Sequence, residues 1–265
     1  MRKFLLILAT LLLGTAAAQA KVVGKEITYA DHGVKLKGYL AYDNAIKGKR
    51  PGILVVHEWW GLNDYARKRA RMLAGMGYTA LALDMYGNGK TASHPDDAGK
   101  FAAEVNNNMP VEKSRFEAAM KLLEANKTVA KGQIAAIGYC FGGGVVLNMA
   151  RLGEPLKAVA SFHGALPTDT PAKPGVVKAK VAVFTGADDP MAPKKVVDAF
   201  VEEMKNAGVD YTLTVYPGAK HSFTNPDADR LGKEFNLPLA YNAAADQDSW
   251  KRLEELLTSV FGPHK

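Results

Sequence analysis

Three separated segments of this chain carry residues that together could attack a carbonyl. The first is Gly138-Tyr139-Cys140-Phe141-Gly142-Gly143-Gly144. An apolar run, Gln133 to Ile137, precedes it, and a helix-like run, Val145 to Ala150, follows it. That is strand, tight turn and helix, with a glycine two residues to either side of one reactive side chain, the pattern of a nucleophile elbow. Such a turn strains the backbone of the nucleophile and crowds its neighbours, so the flanking positions need glycine. The reactive position holds Cys140, the only cysteine of the protein. The second segment, Gly186-Ala187-Asp188-Asp189-Pro190, follows the apolar run Val181 to Phe184. The third, Gly218-Ala219-Lys220-His221-Ser222-Phe223, follows Thr212 to Val215. Nucleophile, carboxylate and imidazole, in that chain order, are the three parts of an acyl-transfer triad. Each follows the expected end of a strand, the edge where parallel sheets build their sites.

Asp188 and Asp189 are rivals for the acid, and Asp189 could simply cap the following turn. A developing oxyanion needs two backbone donors. One is expected from Phe141, directly after the nucleophile. The other is expected from Trp59, in the segment His57-Glu58-Trp59-Trp60-Gly61-Leu62, where Gly61 helps the backbone turn. Glu58 is unusual, because a carboxylate at the end of a buried strand is expensive without a partner. It is either half of a structural pair or cap, or it contacts the Cys140 thiol. Among the other histidines, His32, His94 and His264 read as exposed in turns or at the terminus. His163 follows a strand and is a candidate to line the pocket.

The elements that must position these groups alternate along the chain. Lys25 to Tyr42 reads as a β-hairpin turning near Asp31-His32-Gly33. Strands are expected at Ile53–Val56, Thr79–Leu83, Ile134–Ile137, Ala158–Phe162, Val181–Phe184 and Thr212–Val215. Helices are expected at Asn63–Met76, Pro110–Asn126, Val196–Ala207 and Ala243–Phe261. That alternation implies a mostly parallel sheet covered on both faces. In the last helix, Leu253, Leu256, Leu257 and Val260 form a stripe that reads as core. Met85 to Pro95, rich in Gly, Asn and Ser, is either a lid or a solvated connection.

The first twenty residues read as a secretory leader: Arg2 and Lys3, then an apolar Phe4–Leu13, then Ala18-Gln19-Ala20 at the cleavage site. The mature chain, residues 21–265, suits one α/β domain. The formal charge of +7 falls by two when the leader leaves. The remaining excess is spread over many lysines without an arginine stripe and interleaved aromatics, so no nucleic-acid partner is expected. Export brings oxidising conditions, in which a lone cysteine cannot pair internally. Its position in the elbow marks it as a thiol kept for chemistry.

HEWWGLN, GYCFGGG, GADDP and GAKHSF resemble the motifs of the dienelactone hydrolase (carboxymethylenebutenolidase) family, over roughly Lys25 to Val260. The resemblance implies an α/β-hydrolase fold, a mostly parallel sheet of about eight strands flanked by helices on both faces. It implies a triad of Cys140, Asp188 and His221, and no metal or cofactor. It gives Glu58 the task of holding the resting thiol and accepting its proton when substrate binds. The thiolate then attacks an ester, forms a thioester, and water releases the product. The family grips its substrate's carboxylate with two arginines. One of those positions is Asn225 here, and no arginine occurs between Met72 and Ser114. Lys90, Lys100 and Lys220 could replace the charge but not the bidentate geometry.

The expectation is therefore an exported hydrolase of small esters or lactones, acting through a Cys-His-Asp triad. Its pocket is expected at Trp59, Trp60, Tyr86, Tyr139, Phe141, His163, Phe223 and Asn225. No stable membrane anchor is expected after cleavage, and the protein is read as a monomer, with a dimer as the alternative. The rival readings are a catalytically silent binding protein and a redox-sensing thiol protein on the same fold.

Overall fold

The computed structural model of the protein describes residues 21–263. The segment read as a leader, Met1 to Ala20, and His264 lie outside the described residues. Eight strands form one sheet: β1 (Val22–Asp31), β2 (Val34–Asp43), β3 (Arg50–Val56), β4 (Thr79–Leu83), β5 (Val129–Tyr139), β6 (Ala158–Phe162), β7 (Lys180–Gly186) and β8 (Tyr211–Tyr216). Their order across the sheet is β1-β2-β4-β3-β5-β6-β7-β8. β1, β2 and β4 pair antiparallel, and every other pairing is parallel. The central strands are nearly continuous apolar runs because both of their faces are covered. β4 and β6 are buried along their whole length, whereas the edge strand β1 is half open to solvent.

The helices are α1 (Asp64–Gly75), α2 (Pro95–Asn106), α3 (Met109–Glu124), α4 (Phe141–Arg151), α5 (Lys194–Asn206), α6 (Ala228–Phe235) and α7 (Ala243–Phe261). Strand alternation sends Leu54 and Val56 to one face and Ile53 and Val55 to the other. The first face packs on α3, α4 and α5 through Phe116, Leu123, Val146, Phe200 and Met204. The second packs on α1 and α7 through Ala70, Leu73, Leu253 and Leu257. The expected stripe on α7 is therefore core. Asparagines start three helices: the side chains of Asn63, Asn108 and Asn242 each accept a backbone N–H from the first turn of α1, α3 and α7.

Two helices were not expected. α2 begins with Pro95 at its first position and Asp96 and Asp97 in its first turn, after the His94 side chain accepts the Asp96 N–H. α6 is eight residues long and buries only Ala228 and Gly232, too little to show as an apolar stripe. The loop before α2 is stapled rather than loose. Asp84 accepts N–H bonds from Tyr86, Gly87, Gly89 and Lys37, all within 3.0 Å. Gly61 bridges to Thr91.

Candidate active site

The C-terminal ends of β3, β5, β6, β7 and β8 converge on one point. Cys140 stands between β5 and α4 with φ 52° and ψ −114°, a left-handed backbone at a non-glycine residue. The turn is tight enough to exclude side chains beside it. A Cβ on Gly138 would lie 2.0 Å from the Gly142 oxygen, and one on Gly142 would lie 2.4 Å from the Val56 oxygen. His163 (φ 41°) and Ser222 (φ 56°) also hold left-handed backbone. Half of the six such non-glycine residues among the described residues thus meet here, and strain collected at one place points to function.

His221 Nδ1–H donates to Asp189 Oδ2 at 2.8 Å; the carboxylate assigns the tautomer. Asp189 is buried, and its Oδ1 accepts the Met191 N–H. The partner is thus Asp189 and not Asp188, which corrects the acid assigned from the resemblance. The reason is the turn after β7. The Asp188 N–H donates to Ala219 O and its side chain faces solvent, while the next residue turns inward. Asp189 both caps the following turn and meets the imidazole.

The other ring nitrogen of His221, Nε2, is buried without a hydrogen-bond partner. The Cys140 thiol interacts with this ring without completing a hydrogen bond of good geometry. Burial alone would lower the imidazole's pKa. The charge of an ionised Cys140 and the Asp189 hydrogen bond outweigh it and push His221 up to about 10. A protonated His221 is the state these partners favour.

Glu58 is buried. Its Oε1 accepts from Ser222 Oγ at 2.9 Å and its Oε2 from Asn225 Nδ2 at 2.6 Å. Burial raises its pKa, opposed by those two hydrogen bonds and by the charges of His221 and Arg69. Glu58 thus ties the loop that carries His221. The Asn225 carboxamide is engaged at both ends, since its Oδ1 accepts the Asp227 N–H. Asn225, expected in the substrate pocket, is a partner of Glu58 instead.

Three further pocket candidates lie beneath Cys140. Tyr139, His163 and Phe223 are fully buried. Tyr139 stacks on Phe162 at 4.7 Å, and Phe223 packs edge-on against His163 at 5.2 Å. Tyr139 ends β5 with its side chain on the α1–α7 face, because strand residues alternate between faces. Trp60 and Tyr86 are buried as well. The Tyr86 hydroxyl donates to Trp59 O at 2.9 Å, and its ring packs on Phe141 and edge-on against His57. Trp59 is half-buried. At the elbow, Cys140 N, Gly142 N and Gly143 N donate to Phe162 O, His57 O and Cys140 O. The Phe141 N–H, at the first position of α4, and the Trp59 N–H join no such bond.

A network that no local pattern announces lies behind Cys140. Its N–H also reaches His163 Nδ1 at 3.2 Å, and His163 Nε2–H donates to Thr224 Oγ1 at 2.7 Å. Thr224 Oγ1 is 2.6 Å from the Tyr65 hydroxyl, which accepts from Arg69 Nε. Arg69 also binds Thr224 O and pairs with Asp246. Burial, and after it the charges of His221 and Arg69, hold His163 well below the usual histidine range, so it is the neutral acceptor. Beside the elbow, a cleft of about 530 Å3 is lined along α4 by Phe141, Gly144 and Asn148. Among the described residues, no three His, Cys, Asp or Glu side chains gather as a metal site.

The profile of the dienelactone hydrolase family matches residues 36–261. The Protein usf of Aquifex pyrophilus is 30% identical over 236 residues, 86% of this chain and 95% of that one. A putative carboxymethylenebutenolidase of Saccharolobus solfataricus is 28% identical over 273 aligned positions, 89% of this chain and 98% of that one. A crystal structure of a dienelactone hydrolase-like promiscuous phosphotriesterase from metagenomic libraries superimposes with a TM-score of 0.83 at 33% identity. It covers 92% of this chain and 100% of its own.

Proposed function

Since the chain belongs to the dienelactone hydrolase family and is by that membership a carboxylic ester hydrolase, we propose that it cleaves small esters or lactones through a thioester on Cys140. The observation that carries this reading is the His221 ring, held by Asp189 on one side with an unpartnered nitrogen on the side of the thiol. Cys140 attacks the carbonyl carbon as a thiolate, and the carbonyl electron pair moves to oxygen. The N–H groups of Phe141 and Trp59 stabilise that oxyanion. Collapse expels the alkoxide, which takes the proton of the His221 imidazolium and leaves as alcohol. His221 then removes a proton from water as water attacks the thioester. The acid leaves, and Cys140 regains the negative charge beside the imidazolium. In a lactone the alcohol stays attached to the acyl group until the second step.

Asp189 keeps the imidazole tautomer and steadies its charge. Glu58 fixes Ser222, the strained residue next to the base. The thiol-holding role implied by the resemblance requires Glu58 to accept a further donor besides Ser222 and Asn225, or to release one of them. We also propose that the protein works outside the cytoplasm, on the leader-like Arg2 to Ala20 alone.

Hydrolysis of p-nitrophenyl acetate by residues 21–265 tests the reading. The expected outcome is turnover that Cys140→Ala abolishes, with an acetyl adduct on Cys140 trapped by acid quench and seen by mass spectrometry. Equal turnover in the variant removes Cys140 as nucleophile. A folded, inert protein returns weight to a binding role.

A further inference from the structure

The missing arginines pose the question of what this site recognises instead of a carboxylate. The cleft that begins beside the elbow at Phe141 carries the answer. Phe141, Gly144 and Asn148 follow the nucleophile at one-turn spacing and form a single stripe on α4. From the elbow that stripe runs about 10 Å, at 1.5 Å per residue. Gly144 keeps the floor low, and Asn148 closes its far end. Asn148 is held from three sides: Nδ2 donates to Glu112 Oε1, and Oδ1 accepts from Thr168 Oγ1 and Arg151 Nη1. The opposite rim is the junction of α2 and α3, where Asn106 and Asn107 are exposed. Their carboxamides make no hydrogen bond among the described residues, unlike that of Asn108, which caps α3.

The chemistry of this lining is specific. The carboxamides of Asn106 and Asn107, without partners among the described residues, can both donate and accept, while the Thr168 hydroxyl donates to Asn148 and lies 3.2 Å from that of Thr170. Met109, Ala165 and Pro167 add apolar surface, and the single charged side chain is Asp169. No lysine, arginine or histidine faces the cleft. The lysines that could have replaced the arginines are placed elsewhere: Lys90 pairs with Glu104 and covers the Phe101 ring, and Lys100 pairs with Asp97. Lys220 is exposed and does not line the cleft. A carboxylate would meet Asp169 and no counter-charge. The volume, about 530 Å3, falls in the range of small-ligand sites.

We propose that the cleft along α4 is a subsite for an uncharged, hydroxyl-bearing group, so that the substrate is an ester of a polyol or sugar and not an anionic lactone. The proposal rests on Cys140 as the nucleophile for its catalytic meaning, but the binding it predicts does not.

Two measurements separate the parts. Saturation-transfer NMR with methyl β-D-xyloside reads the cleft without turnover. Transfer in the wild type, lost in Gly144→Leu and weakened in the exposed-rim variant Asn107→Lys, supports the subsite. No transfer, or equal transfer in all three proteins, overturns it. In the kinetic arm, acetylated xylose is compared with acetoxyacetate, the acetyl ester of glycolate, so that the acyl group is shared and both leaving groups are alkoxides. The expected result is at least about a tenfold preference in kcat/KM for the sugar ester, about 1.4 kcal/mol. Asn107→Lys, which adds a cation at the rim, narrows or inverts it. A wild-type preference for the anionic ester overturns the proposal. Xyloside binding without any ester turnover sinks the nucleophile reading and leaves the subsite standing.

Discussion

The two sides of the turn that carries Cys140 are built on opposite principles. Behind Cys140, one connected path of hydrogen bonds runs through His163, Thr224, Tyr65 and Arg69 to Asp246. It draws on the elbow, the end of β6, the His221 loop, α1 and α7, and it is almost wholly buried. Beside the turn, along α4, the cleft is lined by carboxamides and hydroxyls, of which the Asn106 and Asn107 carboxamides have no partner among the described residues. Each side also has a buried glutamate. Glu58, behind, has both oxygens satisfied, whereas Glu112, beneath Asn148, has Oε2 buried with no partner. The chemistry is held in one geometry by closed networks, and recognition is left to groups whose partners a ligand can supply.

The largest effect tests which carboxylate belongs to the rear network. Asp189→Asn is expected to lower kcat roughly a thousandfold or more, because the imidazole loses its tautomer and its counter-charge. Asp188→Asn, at an exposed side chain, is expected to change it little. The kcat values for p-nitrophenyl acetate check both, and the reverse ranking would return the acid role to Asp188.

The next effect weighs the network itself. Arg69 is buried and pairs with Asp246, with the Tyr65, Tyr139 and Trp250 rings around its guanidinium. Arg69→Met takes the guanidinium donor from Thr224 O and from Asp246, which keeps only the Tyr241 hydroxyl, and is expected to cost about 3–5 kcal/mol in urea unfolding. It is also expected to reduce kcat more than it alters KM, because Thr224 sits in the loop that carries His221. Arg69→Lys keeps the charge but not the fork and should fall between the two. A Met variant with the wild-type midpoint and kcat would show that the two sides of the turn do not differ as described.

The same contrast separates what could be read in the sequence from what could not. The eight strands and the elbow were legible, because continuous apolar runs and paired glycines are local signals. The loops bearing Asp189 and His221 were legible as loops. Which aspartate faces inward was not, since one residue in a tight turn reverses a side chain's direction. Tyr139, His163 and Phe223 lie beside motif residues and were read as pocket, but the alternation of faces places them underneath. Arg69 and Asp246 are 177 residues apart, and nothing in either neighbourhood marks the pair. The start of α2 did carry a signal in Pro95, Asp96 and Asp97.

The smallest effect isolates the glutamate on the cleft side. Burial pushes Glu112 up to about 7, against an ordinary 4.5, and the Asn148 hydrogen bond only partly opposes it. A carboxyl whose pKa is raised on folding binds its proton more tightly in the folded chain. Its stabilising contribution is therefore complete below pH 4.5 and is lost as pH rises through 7. The span is at most about 3–4 kcal/mol. Glu112→Gln removes the titration while keeping an acceptor for Asn148. Its new amide donor lacks a partner at every pH, a constant cost that cancels when two pH values are compared. The urea midpoint of Glu112→Gln relative to wild type should therefore rise between pH 5 and pH 8. An offset that does not change with pH would mean that Oε2 meets water through the cleft, and that this glutamate is as well satisfied as Glu58.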